Sequence, residues 1–126
     1  MKVRTVQITL PYPPSVNTYW RSIRTGKLAG RVLVSEKGRE YQAAVGKAVK
    51  RAKLGKPLTT RLAVDVLVYP PDRRARDLDN VLKALLDSCQ KAAVFVNDSQ
   101  IDTLLIERRW PVPDGRVELR ISEVVA

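Results

Sequence analysis

Two aspartates one residue apart, Asp77 and Asp79, stand in the stretch PDRRARDLDN (71–80) among Arg73, Arg74 and Arg76. Lys83 follows Asp79 by four residues, and Asp98 falls in the turn of VFVNDSQI (94–101). In extended chain, residues two apart point the same way, so both carboxylates can face one point. A lysine four residues further along a helix lies one turn away on the same face. A helix–turn–strand passage brings the chain back to its sheet, which makes Asp98 the candidate for a third ligand. Three hard oxygen donors without histidine or cysteine suit Mg2+, with Mn2+ as a substitute, and not zinc. Such an ion lowers the pKa of a bound water and neutralises charge on a phosphodiester under attack. A lysine alongside orients the water or stabilises the developing negative charge. Arginines alone would make a phosphate clamp; carboxylates among them make a place where a cation sits against a clamped phosphate.

The same residues also have an ordinary structural account. Asp77 suits the N-cap of a following helix, worth about 1 kcal/mol. Asp79 and Lys83 suit an i,i+4 pair worth about 0.3–0.5 kcal/mol, and Asp98 suits a turn. Spacing alone leaves both accounts open. An EF-hand is excluded, because Leu82 and Ser88 occupy the places of its sixth-position glycine and twelfth-position glutamate.

Net charge narrows the partner. Lys and Arg total 23 against 13 Asp and Glu, a formal charge of +10 over 126 residues. A field so positive on a small domain favours a polyanion, above all nucleic acid. A membrane surface fits less well, since no basic amphipathic helix presents a bulky apolar face and no segment reaches spanning length. The absence of histidine excludes His-based acid–base catalysis, Ser–His–Asp triads and HNH-type sites within this chain. One cysteine, Cys89, excludes an internal disulfide and a Cys-rich zinc site, and fits a reducing cytoplasm. The N-terminus lacks a long apolar signal core, so an intracellular location is expected.

The elements that must position these residues follow from periodicity. VRTVQITL (3–10) alternates as a half-buried strand and ends in the three prolines of PYPPSVN (11–17). Residues 18–31 have no clean period and read as a loop carrying Arg21, Arg24, Lys27 and Arg31. Ser35 caps a helix over 36–53 with an apolar stripe through Tyr41, Val45 and Val49, ended by Gly55 and Pro57. Residues 60–70 form a strand with Leu62, Val64, Val66 and Val68 on one face. Leu78, Val81, Leu82, Leu85, Leu86 and Cys89 form the stripe of a helix over about 78–91. After an extended piece at 93–99 come strands at 100–110 and 116–124, joined as a hairpin through Asp114-Gly115. The order β-α-β-α-β-β predicts a single α+β domain over 1–126, a mixed sheet with two helices packed against it.

PDRRARDLDNVLKALLDS followed by VFVNDSQI, with LPYPPSVNTYWR (10–21) at the N-terminal side, resembles the RusA-type Holliday-junction resolvases of bacteria and their phages. The resemblance covers nearly the whole chain. It implies a Mg2+-dependent homodimeric endonuclease that cuts four-way DNA junctions by paired symmetric nicks in recombination and repair. It places the family's three metal-binding aspartates on Asp77, Asp79 and Asp98, its essential lysine on Lys83, and basic or backbone-contacting positions on Arg76 and Asn17. Asn97 stands where some members carry a second acid; its carbonyl is a candidate for assisting metal or water.

Arg73, Arg74, Arg21, Arg24, Lys27 and Arg31 are the candidate phosphate contacts; of Arg108 and Arg109, alternating on a strand, at most one faces DNA. Tyr19 and Trp20 suit core packing first and stacking at a branch point second. A junction close to two-fold symmetric calls for two sites on opposing strands, hence a homodimer. Two rival functions remain at this level: a non-catalytic basic nucleic-acid-binding module, and a metal nuclease acting on branched DNA more broadly.

Overall fold

The computed structural model describes residues 3–125. Its centre is β4 (Leu62–Tyr69), whose Leu62, Val64, Val66 and Val68 are all buried. Such a run needs strands on both sides, and β4 has them. It pairs antiparallel with β6 (Arg116–Glu123) and parallel with β5 (Ile101–Arg108). β6 also pairs antiparallel with β1 (Thr5–Leu10), so the mixed sheet runs β1-β6-β4-β5. In β1 the inward set Val6, Ile8 and Leu10 is buried and the alternating set exposed, as the period of two predicts.

Two helices cover the buried face. The first long one, α2 (Glu36–Ala52), is capped by the Ser35 hydroxyl accepting from Gly38 N–H at 3.0 Å, and buries Tyr41 and Val45. It ends on Lys53 in the left-handed region, φ 51°. A 3-10 turn (Leu78–Val81) leads into α3 (Leu82–Lys91), which buries Ala84, Leu85 and Cys89. The helix expected over 78–91 therefore opens as a tighter turn, with Asp77 and Asp79 in its entry. Phe95 and Leu58 close the core beside α3, and Cys89 is a packed core residue.

Two expectations are corrected. Residues 18–31 are not a bare loop. A one-turn helix α1 (Val16–Tyr19), capped by Ser15, leads into a ribbon of β2 (Trp20–Ser22) and β3 (Val32–Val34). These pieces are too short to show a period; non-local pairing and the burial of Tyr19 define them. A Cβ on Gly38 would lie 2.8 Å from the Tyr19 carbonyl oxygen and 2.6 Å from Val34 Cγ1, so α2 can press this close only through glycine. The architecture is α+β as read, with α1 and the ribbon added.

The second correction concerns the last two strands, which do not form a hairpin. Asp114 and Gly115 do adopt the positive φ of a tight turn, 65° and 67°. The connection instead steps across the end of β4, through Arg109 N–H to Val68 O at 2.8 Å and Val112 N–H to Pro70 O at 2.9 Å. The most apolar strand takes the central place, and the half-exposed β5 is left at the edge.

Candidate functional site

Pro70 and Pro71 end β4, and the loop that follows is tied by one carboxylate. Asp72 accepts from Arg74 N–H at 2.9 Å and from Arg76 Nη1 at 2.7 Å. The Arg76 hydrogen bond, reinforced by the Arg74 N–H, holds the Asp72 carboxyl down to about 2. Arg76 also lies 5.8 Å over the Tyr12 ring, and its carbonyl accepts from the Arg108 guanidinium. Asp72 thus shapes the loop. Arg76, assigned to DNA, is first a strut of the protein, while Arg73 and Arg74 are exposed.

Asp77 and Asp79 differ from Asp72. Asp77 occupies the cap position of the 3-10 turn, yet its side chain makes no capping hydrogen bond. Asp79 makes no ion pair with Lys83, and no salt bridge or hydrogen bond among the described residues reaches the carboxylate of Asp77, Asp79 or Asp98. All three carboxylates are exposed. Asn97, not Asp98, shapes the turn before β5. Its side chain accepts from Ser99 N–H at 2.9 Å, and the Gln100 side chain returns to the cap backbone. That bond uses one of the two lone pairs of the Asn97 side-chain oxygen. Asp77 thus holds the cap position without a cap bond, Asp79 makes no pair with Lys83, and Asp98 opens the Asp98–Gln100 turn while its carboxylate bonds nothing among the described residues.

Lys83 is exposed in the first turn of α3, its ammonium 5.5 Å from the Trp20 ring centroid. Trp20 in turn stands edge-on to Tyr19, centroids 5.1 Å apart. The Tyr19 hydroxyl donates to Asp87 on α3 and accepts from Gln42 Nε2 on α2 at 2.7 Å. Burial, then the bond to Asp87, pushes the Tyr19 hydroxyl up to about 12. This network fastens α1 and its exposed Asn17 beside the Asp79–Lys83 turn. Arg21 sits on β2, and Arg24, Lys27 and Arg31 are exposed along the ribbon. Tyr19→Phe deletes a buried bond and leaves Asp87 and Gln42 short of a partner. We expect it to cost about 1–3 kcal/mol, read as a lowered unfolding midpoint.

Asp98 is not brought beside the other two. Its N–H donates to the Gln90 side chain at 3.0 Å, in the last turn of α3, whereas Asp79 precedes the first. Ten helical residues rise about 15 Å. Among the described residues no three His, Cys, Asp or Glu side chains converge closely enough to hold a metal. The donor types fit a hard divalent cation, but one protomer gathers only Asp77 and Asp79 at one end of α3. The helix that was expected to return Asp98 to its partners instead holds it away from them.

Sequence reasoning passed over Tyr12 and undervalued Arg108. Both border a cavity of about 300 Å3 beside Asp77, and Arg108 joins it because β5 runs parallel to β4 and ends against the 71–77 loop. The signal for Arg108 was its alternation on a strand, which becomes informative only with the topology known.

The family model for endodeoxyribonuclease RusA matches residues 11–122, from the proline turn through β6. The crossover junction endodeoxyribonuclease of Enterobacteria phage HK97 is 40% identical over 118 residues, 94% of each chain. That of Escherichia coli strain K12 is 37% identical over 122 residues, 97% of this chain and 98% of the relative. That of Enterobacteria phage 82 is 35% identical over 122 residues, covering the same share of this chain. No helix among the described residues is long and apolar enough to cross a membrane. With a family match over residues 11–122 that takes in β4, β5, both long helices and Asp77, Asp79 and Asp98, the chain belongs to the RusA endodeoxyribonuclease family.

Proposed function

We propose that the protein is a Mg2+-dependent homodimeric nuclease that resolves four-way DNA junctions by paired symmetric nicks in the cytoplasm, in recombination and repair. The observation that carries this reading is the set of exposed carboxylates of Asp77, Asp79 and Asp98, unpaired among the described residues, with Lys83 four residues past Asp79, in a chain matched to the family over 11–122. When bound, the cation supplies charge neutralisation at the phosphodiester and a more acidic water. Asp77 and Asp79 would hold it at the entry of α3. Lys83, steadied against Trp20, supplies a positive charge where negative charge develops on the phosphate. Arg73, Arg74, Asn17 and Arg21 grip the flanking backbone, with Arg24, Lys27 and Arg31 reaching further along the arm.

The edge of β5 supports the dimer. Arg109 N–H points to β4, so by alternation the N–H and C=O groups of residues 104, 106 and 108 point outward. Leu104 and Leu105 are 40% and 54% exposed beside them. An antiparallel mate centred on Leu105 sets Leu104 opposite Ile106 of the partner subunit, twice, by the two-fold. That pairing exchanges the ends of β5, carrying Asp98 of the partner subunit toward the end where Asp77 and Asp79 lie. Leu105→Asp places two carboxylates face to face on the axis. We expect a folded monomer by light scattering at micromolar concentration; a persistent dimer would exclude this edge.

A labelled junction, a flap and a linear duplex tested together separate this function from broader branched-DNA cleavage: only the junction is expected to be cut in pairs. Phosphate-driven binding further predicts that affinity falls about 10³-fold or more between 50 and 200 mM monovalent salt. A flat titration would contradict it.

A further inference from the structure

The cavity of about 300 Å3 beside Asp77 is too small for duplex and large enough for one nucleotide. Five arginines and two aspartates line it, and Asp72 is already neutralised by Arg76 and the Arg74 N–H, so an anion meets a positive rim. Its wall is different in kind: Val68, Leu78, Val81 and the half-buried Tyr12 present apolar and aromatic surface. A phosphate alone needs only the rim. The combination of a charged mouth and an apolar interior fits a base with its own phosphate. The position matters as well, because Asp77 lines the cavity and also belongs to the candidate metal site.

We infer that this cavity receives a single nucleotide rotated out of the base stack at the branch point, with its base against Tyr12 and Leu78 and its phosphate on Arg73 and Arg108. The inference rests on the reading of branched DNA as substrate. Unstacking costs a few kcal/mol in duplex and least where stacking is already interrupted, as at a junction centre. A pocket that captures the base selects branch points over uninterrupted duplex without reading the arms. It also fixes the strand's register against Asp77 and Asp79, making the pocket a source of preference for the base beside the cut.

The test places 2-aminopurine at each branch-point position of a junction in turn, with the protein in EDTA so that binding proceeds without cleavage. Emission is expected to rise at least threefold at one position on saturation. Ala75→Trp fills the cavity from an exposed lining position, and Ala75→Ser is its small-residue control. The filled variant is expected to lose the rise while junction affinity by anisotropy changes less than tenfold; the serine control keeps it. A bound junction with no rise at any position, or a rise that survives Ala75→Trp, overturns the inference. Should the protein bind no junction, the earlier reading fails, and deoxynucleoside monophosphates titrated into the protein alone decide the cavity. Shifts at the Tyr12, Ala75 and Leu78 amides that vanish in Ala75→Trp support a nucleotide site, and their absence overturns it.

Discussion

Asp79→Asn is expected to leave junction binding unchanged or tighter and to lower cleavage by about 100-fold or more. The substitution keeps the side chain's shape and removes one negative charge. The Asp79 carboxylate has no internal hydrogen bond or ion pair among the described residues, so the fold loses nothing measurable, within about 0.5 kcal/mol. Removing a ligand charge weakens the hold on a divalent ion, while removing negative charge from an electropositive surface favours phosphate. Binding and catalysis therefore move in opposite directions, which a general loss of structure cannot produce. Asp65→Asn, on the open face of the sheet, is the matched control and leaves the rate alone. Single-turnover cleavage and anisotropy on the same junction give both numbers. Near-normal cleavage by Asp79→Asn would remove it from the metal site.

Phe95→Ala carries the largest expected loss of stability, about 3–5 kcal/mol. Phe95 is fully buried, and the bridge between Leu58 and Phe95 fastens the segment after α3 to the strand side of the core. Asp98 lies three residues on, held by its own N–H to Gln90 and by the cap that Asn97 and Gln100 make. The cavity left by the ring loosens this anchorage as well as the core. Denaturant unfolding should show a lower midpoint with an unchanged slope. If the protein remains folded, cleavage should fall more than junction affinity, because the arginines of the 71–77 loop are tied independently through Asp72.

The inward face of β4, the stripes of α2 and α3, and the Ser35 cap were legible because burial imposes periods of two and 3.6 on residues close in sequence. The ribbon was not, since Trp20 pairs with Val34 and Ser22 with Val32 across a stretch with no period of its own. Nor was the place of β5. Asp114-Gly115 makes the turn its residues favour, but strand order depends on which strand most needs cover on both edges, and β4 takes the centre. The site was legible in its residue types and not in its assembly. Asp77, Asp79 and Lys83 share one helix entry, as their spacing suggests. Asp98 is fixed by the length of α3 and the Gln90 contact, which no local pattern encodes. Asp72, two residues into the same acidic-basic stretch, belongs to a different class: it serves Arg76, and only the hydrogen bonds separate it from Asp77.

The most direct test of a metal-dependent junction nuclease is a four-way junction labelled on opposing strands, incubated with the protein across Mg2+ and Mn2+ concentrations and in EDTA. Nicks at symmetry-related positions on both strands, dependent on the ion and absent in EDTA, are the predicted result. Tight binding with no nick at any concentration of either ion would contradict it and leave a basic DNA-binding protein.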